Sequence, residues 1–185
     1  ERFILYNKMQ TIVISLFLVL MQSYESQAYE VVSTINSIEI RYYPPAMKVR
    51  VESSKTENNN FNALFRYISG NNSAGEKIAM TTPVYMDKNG PSEVMEFVLP
   101  AKYDSIAPEP KGKGVAVYQA KAGYFAAIRY SGYSNESKEK THKELLLTAL
   151  KQAEKETLGS PVVLSYDAPY KFYNRRNEIL VEVKN

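Results

Sequence analysis

Residues 61–84 read FNALFRYISGNNSAGEKIAMTTPV, and the change of pattern inside this stretch decides the fold. Phe61, Leu64, Phe65 and Ile68 recur at i, i+3, i+4 and i+7, the apolar stripe of an amphipathic helix. Asn58, Asn59 and Asn60 offer N-caps in front of it and Gly70 a C-cap behind it, which predicts a helix of about three turns. Residues 77–86 then read as a strand, with Pro83 forcing an edge position or a bulge. The stripe has two uses that spacing does not separate. It can pack the helix on a sheet, or it can present aromatic area to a flat apolar ligand.

Working outward, residues 29–34 and 38–43 read as a hairpin about Asn36-Ser37, and 46–52 as a third strand after Pro44-Pro45. Downstream of the opening stretch, residues 94–99, 115–121 and 124–130 read as strands, separated by a Pro- and Lys-containing loop over 102–113 and by Ala122-Gly123. Ser134-Asn135-Glu136-Ser137 opens a second helix that ends before Gly159, with Leu145, Leu146, Ala149, Leu150 and Ala153 as its expected buried face. Residues 162–166 and 178–183 close the chain as strands. The order is strand-strand-helix-strand-strand, twice, dividing near residues 108–114. It predicts an α+β fold of two pseudo-symmetric halves sharing one core.

The first 28 residues have a different character. Lys8-Met9 precedes an apolar run from Thr11 to Met21, and Ser26-Gln27-Ala28 places small residues at a cleavage position. This is the pattern of a secretory signal peptide cut after Ala28, with an uncleaved anchor as its rival. The run falls short of the about 20 apolar residues of a membrane helix. Met9 is read as the start, with residues 1–8 as upstream readthrough. Residues 29–185 are then a single secreted domain, expected to be a monomer. It has no Cys, which removes thiolate chemistry, Cys-based zinc sites and covalent haem attachment. The sequons at Asn71 and Asn135 predict a glycoprotein. A net charge of +3 without any basic run excludes a nucleic-acid partner from consideration. Fifteen Tyr and no Trp fit a strand-rich chain.

These residues resemble the SOUL/haem-binding protein family. The likeness rests on Ile38-Glu39-Ile40-Arg41-Tyr42-Tyr43-Pro44-Pro45, on Phe65-Arg66-Tyr67-Ile68-Ser69-Gly70-Asn71-Asn72 and on Lys77-Ile78-Ala79-Met80-Thr81-Thr82-Pro83-Val84. It continues through Phe97-Val98-Leu99-Pro100, Ile128-Arg129-Tyr130-Ser131-Gly132, and Tyr166-Asp167-Ala168-Pro169 with Asn174-Arg175-Arg176-Asn177-Glu178. The resemblance implies a distorted barrel-like sheet with two helices, and non-covalent binding of haem or a related porphyrin. Carried over residue by residue, it places Phe61, Leu64 and Phe65 against the macrocycle and Arg66 and Lys171 on its propionates. An Arg that some members carry one turn earlier aligns with Asn58. A protein-interaction module in which haem is not the physiological ligand is the alternative it leaves.

The chemistry is within reach of these residue types. A tetrapyrrole needs a broad apolar surface and a cation or two for its carboxylates. Covering three large apolar side chains contributes about 4–8 kcal/mol, before association costs of several kcal/mol. No iron ligand is singled out: His142 is the lone His and reads as a boundary residue of the second helix, while Tyr42, Tyr43, Tyr67 and Met80 are undistinguished candidates. One His and no Cys offer no nucleophile–base pair, and no Gly-rich phosphate loop or zinc motif is present, so the chain reads as a binder and not an enzyme.

Overall fold

The computed structural model describes residues 24–54 and 59–185. The apolar run of the expected leader and Asn58 lie outside these residues. Among the described residues, eleven strands and two helices follow one another as β1 (Glu25–Ser26), β2 (Glu30–Ile35), β3 (Ile38–Tyr43), β4 (Ala46–Ser54), α1 (Asn60–Ile68), β5 (Thr81–Thr82), β6 (Val84–Asp87) and β7 (Ser92–Val98), then β8 (Val115–Ala120), β9 (Gly123–Ser131), α2 (Glu136–Gln152), β10 (Val162–Ser165) and β11 (Arg176–Val183).

Nine strands form one curled, half-barrel sheet in the order β2-β3-β9-β11-β10-β6-β7-β4-β8, antiparallel at every step. The order carries the expected duplication. β3-β9-β11-β10 mirrors β8-β4-β7-β6, and each half loses its first strand to the other: β3 pairs with β9 of the second half, β8 with β4 of the first. The innermost strands, β6 and β10, meet at the pseudo-two-fold with Tyr85 opposite Leu164.

Strand alternation sends side chains to two faces. On one, α1 packs on β4 and β7 and α2 on β9 and β11. Leu64, Tyr67 and Ile68 close over Val49 and Phe97, while Leu146 and Leu150 close over Ile128 and Ile179. The other face gathers Tyr43, Tyr85, Leu164 and Leu180. There Arg41 and Glu178 form a buried ion pair at 2.7 Å, joined by Arg176 at 2.8 Å.

The strand expected over residues 77–86 is two short pieces. Residues 77–80 are unpaired with any strand, and the cis Thr82–Pro83 bond separates β5 from β6. β6 lies mid-sheet between β10 and β7, not at an edge. Pro83 is tolerated because it precedes the first ladder residue, where no N–H is required of it. On α2, Leu146 and Leu150 are buried, but Leu145 is 52% exposed and Ala153 is also exposed. The contact stripe on the sheet is narrower than the run of Leu and Ala suggests.

Residues on the leader side of Ala28 belong to the fold. β1 pairs in parallel with β5. The Gln27 N–H donates to the Thr82 carbonyl at 2.8 Å, Tyr85 Oη to Gln27 Oε1 at 2.6 Å, and the Ala101 N–H to Glu25 Oε1 at 2.7 Å.

Candidate functional site

On the helix face, at the seam between the two halves, the sheet is left uncovered. Val84 and Met86 point away from Tyr85 into this gap, and Met95, Ser165 and Asn177 continue its floor. α1 walls one side with Phe61 and Phe65. The residues entering α2, Tyr133 and Ser134, wall the other, and the loop from Tyr166 to Tyr170 closes over the end with Tyr24. The cavity measures about 500 Å³, within the ordinary range for a small-molecule site. Apolar groups dominate its surface.

Each wall has a local cause. α1 ends in a Schellman turn: the Gly70 N–H returns to the Tyr67 carbonyl and the Asn71 N–H to the Arg66 carbonyl, with Gly70 at φ +111°. That turn fixes the helix over β4 and β7. Leu64 is then fully buried, whereas Phe61 and Phe65 are 43% and 50% exposed. Their rings lie nearly parallel, 14° apart with centroids at 6.0 Å, and Phe61 is held by an edge contact with buried Phe97. On the far side, α2 is capped by Asn135 Oδ1, which accepts from the Lys138 N–H at 2.9 Å. Lys88, just past β6, reaches buried Glu139 of α2 at 3.2 Å and ties the two halves together beside the cavity.

The residues expected at a ligand site are thus divided. Phe61 and Phe65 form a continuous aromatic wall. Leu64 serves the core and has no face on the cavity. Arg66 is exposed and stands outside the wall. Lys171 is also outside it, and its ammonium is paired with Asp167. Burial pushes the Asp167 carboxyl up, but Lys171, the Arg176 N–H and the nearby Arg175 charge together hold it below the ordinary value.

The sequence reading missed the cation that does line the cavity. Arg175 is 6% exposed and reaches the wall from the loop before β11. Its only sequence signal was its place in Asn174-Arg175-Arg176-Asn177. There the second Arg pairs with Glu178 on one face of the sheet while the first goes to the other. Tyr24 was missed because it lay within the presumed leader. Its phenol, hydrogen-bonded to Tyr170 and partly buried, is held above the ordinary value.

Iron donors are sparse. Met80, Met86 and Met95 bring thioethers to the wall. His142 is not there: Nδ1 lies 2.7 Å from the Lys138 carbonyl and the ring stacks on Tyr130 at 4.5 Å. Tyr43 and Tyr67 are buried in the cores, and Tyr42 packs on Tyr124. Among the described residues no group of three or more His, Cys, Asp or Glu could hold a metal ion. The apolar floor, the parallel ring pair and one buried cation fit a flat, mostly apolar molecule with an anionic edge.

Comparison with known proteins agrees with this geometry. A family model described as SOUL heme-binding protein matches residues 24–182. Heme-binding protein 1 of Mus musculus is 25% identical over 124 residues, 63% of this chain and 65% of that protein. Its counterpart in Xenopus laevis is 24% identical over 123 residues, with the same coverage of each. The matched region thus spans 65% of the length of these relatives. Among solved structures, an uncharacterized conserved protein from Listeria innocua superposes with a TM-score of 0.59 at 8% identity, covering 80% of this chain and 92% of that one. The EcmrR C-terminal domain superposes with a TM-score of 0.54 at 13% identity, covering 85% and 98%. At such identities these two likenesses concern the fold alone.

Proposed function

Because the chain belongs to the SOUL heme-binding protein family, we propose that its seam cavity binds haem or a related tetrapyrrole without a covalent link. The observation that carries this reading is the half-exposed, parallel Phe61–Phe65 pair walling an apolar cavity of about 500 Å³. Covering the exposed halves of the two rings contributes about 1.5–3 kcal/mol, and the macrocycle's own apolar faces add to it. Bound haem would supply an iron, and the thioethers of Met80, Met86 and Met95 on the cavity wall would be the soft donors available to it, although binding through faces and carboxylates needs none of them. The chain is a binder in this reading, and no reaction is assigned to it.

The leader-like run from Thr11 to Met21 supports secretion, and a secreted carrier or scavenger is the role that combines the two features. Titration of the protein with hemin should give a saturable shift of the Soret band. Replacing Phe61 and Phe65 together by Ala should weaken binding more than tenfold, with a fall of several degrees in melting temperature for the buried halves of the rings that leaves the protein folded. Unsaturable binding, or an affinity indifferent to both rings, would remove this site.

One observation favours a second reading, a protein-interaction module. Tyr170, Phe172 and Tyr173 project from the loop over the cavity, with Tyr170 80% exposed. A partner recovered by the purified protein and lost on replacing Phe172 and Tyr173, with hemin binding absent, would support that reading over the first.

A further inference from the structure

Arg175 is incompletely satisfied where it stands. Nη1 donates to the carbonyls of Ala168 at 2.8 Å and Lys171 at 2.6 Å, and Nη2 makes a long contact with the Asp167 carbonyl at 3.4 Å. The guanidinium carbon lies over the Tyr133 ring, 4.8 Å from its centroid. Nε is buried and has no hydrogen-bond partner, the one such side-chain N or O atom among the described residues. No carboxylate of the described residues lies within 4.0 Å of the guanidinium. Asp167, close in sequence, already accepts from Lys171 and from the Arg176 N–H.

Arg41 and Arg176, on the opposite face of the sheet, make the contrast. Arg41 and Arg176 share Glu178, each through two nitrogens. Arg175 makes its direct hydrogen bonds to carbonyls alone and lies over an aromatic face, and the Asp167 carboxylate attracts it only from a distance. A buried charge without a directly paired counter-ion is costly, and carbonyl dipoles with a distant carboxylate offset only part of that cost. The cavity beside it is mostly apolar, and the one acidic side chain lining it, Asp167, is already engaged by Lys171 and the Arg176 N–H.

We propose that Arg175 is the anchor for an anionic arm of the ligand, so that a carboxylate enters the cavity and pairs with it. This deepens the tetrapyrrole reading and rests on it. The arm then points inward, toward the loop from Asp167 to Lys171, while the macrocycle lies on Phe61 and Phe65. A planar guanidinium suits a carboxylate better than an ammonium does, because its N–H groups are directed in one plane. Arg66 and Lys171, to which the family resemblance assigns the propionates, are left outside: the first is exposed, the second already paired. Preference for free carboxylates over their esters is the resulting specificity.

The test compares hemin with hemin dimethyl ester, which keeps ring and iron but has uncharged arms. Both are titrated by Soret absorbance against the full chain and against Arg175→Met and Arg175→Lys. The wild type should bind hemin at least tenfold more tightly than the ester. Arg175→Met should lose that tenfold while its ester affinity stays the same, and Arg175→Lys should recover part of it. A hemin preference that survives Arg175→Met, or a loss that strikes both ligands equally, would overturn the proposal and leave Arg175 as a clamp on the loop. If Arg175→Met does not fold by circular dichroism, the wild type decides: equal affinity for hemin and ester sinks the anchor. Saturable but equal binding of both ligands spares the tetrapyrrole site, whereas binding of neither removes the site and the anchor together.

Discussion

Glu178 shows no exposure, and five hydrogen bonds converge on its two oxygens: two from Arg41, two from Arg176 and one from Tyr166 Oη. Burial alone would push this carboxyl up, but the Arg41 and Arg176 guanidinium groups outweigh it and hold it below the ordinary carboxylate value. Glu178→Gln removes the shared anion from two cations, which costs about 3–5 kcal/mol in a buried pair. Urea denaturation should show the loss. The pH dependence follows from the sign of the shift. A depressed folded-state pKa means the stabilisation is complete above about pH 4.5 and is lost as pH falls through the lower folded value. Wild type should therefore lose stability in acid faster than Glu178→Gln does. Leu64 gives a second prediction at this scale. Fully buried beneath α1, it should cost about 2–5 kcal/mol when replaced by Ala, and any effect on hemin should follow from instability alone. Helical spacing made the apolar stripe legible but not its division, because it shows which residues share a face and not where the sheet beneath that face stops.

At the scale of elements, the C-terminal end of α1 at Gly70 and the N-terminal end of α2 at Asn135 were readable from caps, and the strand after α1 was not. Gly70 holds φ +111°, and a Cβ there would meet the Gly75 carbonyl oxygen at 3.3 Å. Gly70→Ala should therefore destabilise the protein by about 1–2 kcal/mol. Since the same turn sets the pitch of Phe61 and Phe65 over the cavity, hemin affinity should fall as well. A thermal melt and a Soret titration of one sample would check both. By contrast, residues 77–86 read as one strand with Pro83 at an edge or bulge, whereas the cis Thr82–Pro83 bond and tertiary pairing divide it. Ile78 is drawn back to α1 through its N–H on the Ile68 carbonyl, while Thr81–Thr82 turns to pair with β1. That pairing depends on residues that composition had assigned to a leader. A local pattern does not announce a partner more than 50 residues away.

For the molecule as a whole, the exchange of β3 and β8 between halves welds two copies of one unit into a single sheet, and the seam is where a ligand can enter. The duplication was legible because element order survives where identity between halves does not. The cavity was not, because it belongs to neither half: Phe61 comes from the first, Tyr133 and Arg175 from the second, and Tyr24 from upstream of both. That last residue carries a prediction about the extent of the domain. A chain beginning at Tyr29 keeps the nine-stranded sheet but loses β1, the Gln27 acceptor of Tyr85 and the Tyr24 wall. Tyr85 is buried at 7% exposure, and its unpaired hydroxyl would cost about 1–3 kcal/mol. In a domain of this size that lowers Tm by about 2–12 °C. Hemin at a hundred times its Kd should raise the Tm of a chain beginning at Tyr24 by about 5–10 °C, and should raise that of the shorter chain by less, because one wall of the site has gone. Equal melting and equal affinity for the two chains would make residues 24–28 dispensable and favour a cut after Ala28. The pairing of Glu25–Ser26 with Thr81–Thr82 argues the other way: if a leader is removed, the N-terminal sequence of the product should still contain Tyr24.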